Sequence, residues 1–142
     1  MYHAFYLYRV PIGNVDRFLR IVSEAADVYR RYGAVVTTAM RLTDGDSKYG
    51  CVGLSDLANI NPEEQLFMGV DSFRDVEQFR VLMKKIDSDP DIGRLYKEIQ
   101  EVIDLKKIVR WEMEEVARPA AASNRTSTEI PAEHSVNPIE PR

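Results

Sequence analysis

The fold is decided by two neighbouring stretches, YHAFYLYRV at residues 2–10 and NVDRFLRIVSEAADVYRRYG at residues 14–33. The first is rich in aromatic and other β-favouring residues, which predicts a strand. The second predicts one long amphipathic helix, because its apolar residues recur at helical spacing. Asn14 is a suitable N-cap and Gly33 a natural stop for this helix.

The apolar pattern changes period several more times along the chain. Strands are predicted at 34–42 and at 65–71, separated by a long polar connection at 43–63. The length of this connection indicates either a functional flap or a disordered excursion. Asp71 and Ser72 are expected to precede a second helix, and Asp89-Pro90 to end it and begin a third. Residues 105–114, LKKIVRWEME, predict the last strand.

The resulting order, β-α-β-β-α-α-β, is that of an α+β ferredoxin-like split βαβ fold with one helix broken in two. Its sheet carries helices on one face and leaves the other face uncovered. Since exposing a large apolar sheet face to water is unfavourable, two such sheets are expected to cover each other. The sequence therefore predicts a homodimer that pairs into a dimeric α/β barrel.

Composition separates one domain at 1–116 from a tail at 117–142. The tail contains Pro119, Pro131, Pro138 and Pro141 and no aromatic residue, so it cannot bury enough apolar surface to offset its ordering entropy. We expect it to be disordered. One hypothesis is that the chain is a protein-interaction module that uses this tail to bind a partner.

Charge and cysteine content exclude several classes of function. The formal charge of −4 and the pI of about 5.2 argue against a nucleic-acid partner. No run approaches the roughly 18 apolar residues of a spanning helix, so no membrane association is expected. Cys51 is the only cysteine, which excludes an internal disulfide and suits a reducing cytosol. A cytoplasmic location follows as an expectation.

Several short motifs resemble the dimeric α/β-barrel superfamily, and within it the uncharacterised YbaA-like family. They are Arg9-Val10-Pro11, YRRYGA at 29–34, LFMGVDSFRDVEQF at 66–79, DSDP at 87–90 and Arg110-Trp111-Glu112. The resemblance covers roughly residues 2–116. It implies a homodimer whose two sheets pack face to face and enclose a cavity. The superfamily includes cofactor-free monooxygenases, haem-degrading enzymes and proteins without known activity, so the fold does not decide the function.

Polar residues on the predicted strands are the candidates for lining that cavity: His3, Tyr6, Tyr8, Thr37, Arg41, Arg110 and Glu112. His3 could act as a general base, and phenols could bind an oxygenated ligand. The competing interpretations are a solvent-exposed His3, tyrosines that pack in the dimer interface, and an Arg–Glu pair on a solvent-exposed edge of the sheet. Trp111 is expected to pack beneath the helices.

No cofactor or metal site is predicted, because the domain contains one histidine and Cys51 has no partner. The patterns leave open whether the chain is an enzyme. The first hypothesis is a dimer that binds a small hydrophobic molecule between its two sheets. The alternatives are a cofactor-independent monooxygenase, isomerase or cyclase acting in the barrel cavity, and the interaction module described above.

Overall fold

A computed structural model describes residues 1–117. The predicted tail at 117–142 lies, apart from Ala117, outside the described residues. The elements are β1 (Tyr2–Pro11), α1 (Val15–Tyr32), β2 (Val36–Arg41), α2 (Leu54–Ala58), β3 (Glu64–Phe73), α3 (Val76–Asp87), α4 (Pro90–Gln100) and β4 (Val109–Glu114). Short 3₁₀ turns lie at Ile12–Asn14 and Leu105–Lys107.

The four strands form one antiparallel sheet in the order β2-β3-β1-β4. This order and the helices packed against one face confirm the predicted ferredoxin-like α+β fold. The predicted order of elements is also confirmed, with the short helix α2 added inside the long connection.

The register divides the strand residues between two faces of the sheet. On the helix face, Val10 and Phe67 are buried with Phe18 of α1 in one core cluster. Phe73 is buried with Leu82 of α3 in a second cluster. Because side chains alternate along a strand, the even-numbered residues of β1 and the odd-numbered residues of β3 face the helices.

The helices begin and end at residues that satisfy their free backbone groups through the main chain or a side chain. Gly33 closes α1 in the left-handed region, with φ of 108°. Asp75 caps α3 by accepting a 2.7 Å hydrogen bond from the Gln78 amide. Asn14 occupies the predicted N-cap position of α1, but its side chain makes no capping hydrogen bond and instead donates to the Val102 carbonyl at 2.9 Å.

The other face of the sheet, called here the open face, carries apolar side chains that α1, α3 and α4 do not cover, although Leu66 and Val70 on it are buried. Phe5 and Trp111 stack on it with ring centroids 5.2 Å apart. The prediction that Trp111 packs beneath the helices is therefore wrong, because its register opposite Phe5 turns it away from them. Large hydrophobic side chains remain exposed on the two edge strands: Val36, Met40, Val109 and Met113.

The connection at 43–63, called here the arm, is folded. Ser47 donates to Asp56 at 2.7 Å and accepts from the Gly53 amide at 2.8 Å. Arg9 fastens the arm to the sheet by donating to the carbonyls of Ala58 and Asn59. Within residues 1–117, no helix is both long and apolar enough to cross a lipid bilayer.

Candidate functional site

A carboxyl group, Asp71, lies on the helix face of the central strand β3. It pairs with Ala4 of β1 and Thr37 of β2 in the register, and it is partly buried. Thr37 Oγ1 donates to Asp71 Oδ1 at 2.5 Å. Burial raises the pKa of Asp71, and this effect outweighs the opposing effects of the Thr37 hydrogen bond and of the Arg110 charge.

This raised pKa has a consequence for stability. The folded chain binds the Asp71 proton more tightly than the unfolded chain does. The contribution of Asp71 to folding stability is therefore fully present below the unfolded pKa, near 3.9, and is lost as pH rises through the higher folded pKa. At neutral pH, an ionised carboxylate in this partly buried position lowers the folding stability. Groups with pKa values perturbed in this way are typical of functional sites.

Three tyrosines, Tyr6, Tyr8 and Tyr29, share the environment of Asp71. Burial is the largest cause that raises the pKa of each phenol, and the Asp71 charge raises all three further. The phenols are therefore neutral donors at physiological pH. The rings of Tyr6 and Tyr8 are nearly parallel, with centroids 5.8 Å apart.

Gly69 of β3 makes room for this arrangement. A Cβ atom at position 69 would lie 2.9 Å from Cε2 of Tyr8, closer than ordinary van der Waals contact. The absence of a side chain at Gly69 thus lets the Tyr8 ring lie across the strand, next to Tyr6.

The rim of the cluster lies on the edge strand β4, where Arg110 and Glu112 are exposed. Arg110 Nε donates to Tyr6 Oη at 3.3 Å, and its guanidinium carbon lies 5.5 Å from the centroid of the Tyr6 ring. Arg110 Nη1 donates to Glu112 at 2.6 Å, and Tyr2 Oη donates to the same carboxylate at 2.5 Å. The Tyr2 hydrogen bond is the largest cause that lowers the pKa of Glu112, followed by the one from Arg110.

Five of the predicted site residues therefore lie together, in one cluster with Asp71: Tyr6, Tyr8, Thr37, Arg110 and Glu112. Their location differs from the expected cavity between two sheets. The register turns them towards the helices, as shown by the Tyr8 ring, which packs edge-on against Phe18 of α1 at 5.0 Å.

The other two predicted residues lie apart from the cluster. Arg41 is on the helix face at the end of β2, with its guanidinium carbon 5.6 Å from the Phe67 ring centroid. His3 is on the open face, where its Nδ1 lies 2.7 Å from Ser72 Oγ and its Nε2 lies 3.7 Å from Glu115. His3 is partly buried by these contacts and does not approach Asp71.

Asp71 and Tyr29 were missed by the sequence reasoning. Asp71 was expected at the start of a helix, whereas β3 continues to Phe73. The period-two pattern of Phe67, Gly69, Asp71 and Phe73 is the signal that places a carboxyl among core positions. Tyr29 belongs to the apolar stripe of α1, and nothing in that stripe distinguishes its hydroxyl from core packing.

Two cavities in the described part of the chain lie elsewhere. A groove of about 470 Å³ follows Gln100–Lys106 and reaches Pro11. A smaller one, of about 190 Å³, lies between α1 and α4 beside Glu24 and Arg94. Neither is lined by a residue of the Asp71 cluster. Among residues 1–117, no group of three or more His, Cys, Asp or Glu side chains is placed to hold a metal ion.

Comparison with known proteins places the sequence in a family. Residues 1–116 match the family described as protein of unknown function (DUF1428). The chain belongs to the DUF1428 family. No curated protein matches this DUF1428 sequence.

Solved structures share the fold of this DUF1428 chain at low sequence identity. A dimeric ferredoxin-like protein from an uncultured marine organism has 10% identity and a TM-score of 0.56, over 83% of this chain and 97% of that one. A NIPSNAP domain protein from Burkholderia xenovorans has 15% identity and a TM-score of 0.53, over 85% and 100%. An antibiotic biosynthesis monooxygenase has 13% identity and a TM-score of 0.52, over 82% and 100%. These similarities support the ferredoxin-like fold alone.

Proposed function

We propose that this DUF1428 protein is a homodimer that binds a small hydrophobic molecule with an acidic oxygen, at the Asp71 cluster of each subunit. The observation that carries the proposal is the partly buried carboxyl of Asp71, whose pKa burial raises, on the helix face of a central strand. A buried carboxyl without a full countercharge destabilises a fold. Its presence among neutral phenols supports a role in binding or proton transfer.

The chemistry of the cluster favours phenols and enols as the ligand class. Arg110 offers a cation at the rim to an oxygen that carries negative charge. Asp71 can accept or return a proton, and the Tyr6 hydroxyl can donate a hydrogen bond. The aromatic rings of Tyr6 and Tyr8 add apolar surface beside these polar groups.

Pairing through the open face is the second part of the proposal. Large apolar side chains on its edge strands are exposed in a single chain, and contiguous apolar patches of this kind mark protein–protein interfaces. The similarity to a ferredoxin-like protein described as dimeric supports the same association. The resemblance to the YbaA-like family implies a homodimer as well, and it is part of this proposal.

Cofactor-independent catalysis is the second candidate function, favoured by the raised pKa of Asp71. A carboxyl with a pKa closer to neutrality is a better general base or acid at physiological pH. An isomerase or monooxygenase acting on an enolisable or phenolic substrate would use Asp71 to remove the proton and Arg110 to stabilise the resulting oxyanion.

Ligand binding can be tested with 1-naphthol and with its methyl ether, 1-methoxynaphthalene, in NMR titrations. We expect shifts centred on the cluster, and at least tenfold weaker binding of the ether, because it leaves Asp71 and Arg110 without their partner. Arg110→Gln is expected to weaken 1-naphthol binding by about tenfold, as a lost charge-assisted hydrogen bond would.

Arg94→Gln is the matched control, since Arg94 is an exposed arginine on α4 that pairs with glutamates away from the cluster. Equal affinities of the two arginine variants, or equal binding of naphthol and ether, would show that the cluster does not recognise an acidic oxygen.

A further inference from the structure

We infer that the arm at 43–63 is the second part of the dimer interface and packs against the other copy of this chain. The inference rests on the proposed homodimer and deepens it, because it names which segment besides the sheet holds the partner. It is carried by the exposure of the arm, by its internal hydrogen bonds and by its position beside the sheet.

The arm exposes four large apolar side chains within nine residues. The exposed fractions are 96% for Tyr49, 76% for Val52, 37% for Leu54 and 79% for Leu57. Single exposed hydrophobic residues are ordinary on protein surfaces. A group of them on one short segment, next to an apolar sheet face, is typical of an interaction surface.

Hydrogen bonds hold the arm in one shape while these side chains stay in solvent. Asp44 accepts from the Asp46 amide at 2.9 Å and pairs with Lys48, and the Ser55 amide donates to the Gly45 carbonyl at 3.0 Å. Tyr49 adopts φ of 57°, which a bulky residue rarely does. Long connections are usually functional or disordered, and the hydrogen bonds within the arm favour a function.

The arm stands on the side of the sheet that the proposed partner would occupy. Arg9 is an odd-numbered residue of β1, so it projects from the open face, and it bonds the carbonyls at the end of α2. Leu66, its register partner on β3, is buried at the same end. The arm is therefore fixed, at the end of α2, on the open-face side of the sheet.

The open face and the arm both offer area for a dimer interface. The two central strands pair over ten residues and the edge strands over six. At about 3.3 Å per residue and about 4.8 Å between strands, the face covers roughly 500 Å² in projection. A stable interface buries about 800 Å² of accessible surface per partner, and an arm from each subunit enlarges the contact beyond the sheet.

The test combines Tyr49→Ser, Val52→Ser and Leu57→Ser in one chain and measures the dimer dissociation constant by sedimentation equilibrium. We expect the variant to dissociate at least tenfold more readily than the wild type while its circular dichroism stays unchanged. The control is Val81→Ser with Tyr96→Ser, two exposed residues of α3 and α4, for which we expect an unchanged dissociation constant.

Cys51 provides a second readout that needs no substitution, because it is exposed and lies between Tyr49 and Val52. In the wild type, its reaction with a thiol reagent should be slower above the dissociation constant than below it. A dimer with an unchanged dissociation constant in the arm variant, or a Cys51 rate independent of dimerisation, overturns the inference alone. A wild type that is monomeric at all concentrations overturns the proposed homodimer as well.

Discussion

A glutamate in place of Met68 is expected to convert the dimer into monomers. Met68 lies on the open face of the central strand β3, paired with Leu7 of β1 and Met40 of β2. Any face-to-face packing of two sheets buries this position in both subunits. Burying an uncompensated charge costs about 3–5 kcal/mol, which corresponds to a dissociation constant raised by at least about a hundredfold.

The measurement is sedimentation equilibrium of Met68→Glu at micromolar concentrations, with circular dichroism to verify folding. Tyr96→Glu is the control, because Tyr96 is an exposed residue of α4 on the helix side of the molecule. Dimers of equal stability in both variants would mean that the open face is not the interface.

Truncation of Leu66 to alanine is expected to lower the free energy of unfolding by about 2–5 kcal/mol. Leu66 is 2% exposed, and its replacement removes buried methyl groups and leaves a cavity. Ile12→Ala is the control: Ile12 is exposed in the 3₁₀ turn after β1, so its truncation should change stability by less than about 0.5 kcal/mol.

Urea unfolding of both variants at one protein concentration checks this expectation, since the stability of a dimer depends on concentration. If Leu66→Ala unfolds at the same urea concentration as the wild type, Leu66 does not lie in the core.

The elements of the fold were predictable because each has a strong local signal. The stripe of α1 and the caps Asp89-Pro90 and Gly33 depend on residues close together in sequence. The strand order follows from the ferredoxin-like topology once the order of elements is known. The sequence did not decide whether the arm is a functional flap or a disordered segment, because its structure depends on the contact with Arg9, which is distant in sequence.

The composition of the candidate site was largely predictable, whereas its location was not. Period-two alternation groups Tyr6 with Tyr8, and Arg110 with Glu112, but it does not say which group faces the helices. That choice is made by pairing over long distances, where Tyr6 lies opposite Arg110 and Phe5 opposite Trp111. Trp111 was misplaced for the same reason, since an apolar face suits both a helix layer and a partner sheet.

The central claim is that Asp71 is a functional carboxyl in a partly buried polar cluster, and its own titration tests this most directly. The carboxyl carbon of Asp71 can be followed by ¹³C NMR across pH and assigned by its absence in Asp71→Asn. We expect a midpoint above the value of about 3.9 for an ordinary aspartate, because burial favours the protonated form. In Arg110→Gln the midpoint should rise further, since the Arg110 charge lowers it in the wild type. A midpoint at or below about 3.9 in the wild type would contradict the account.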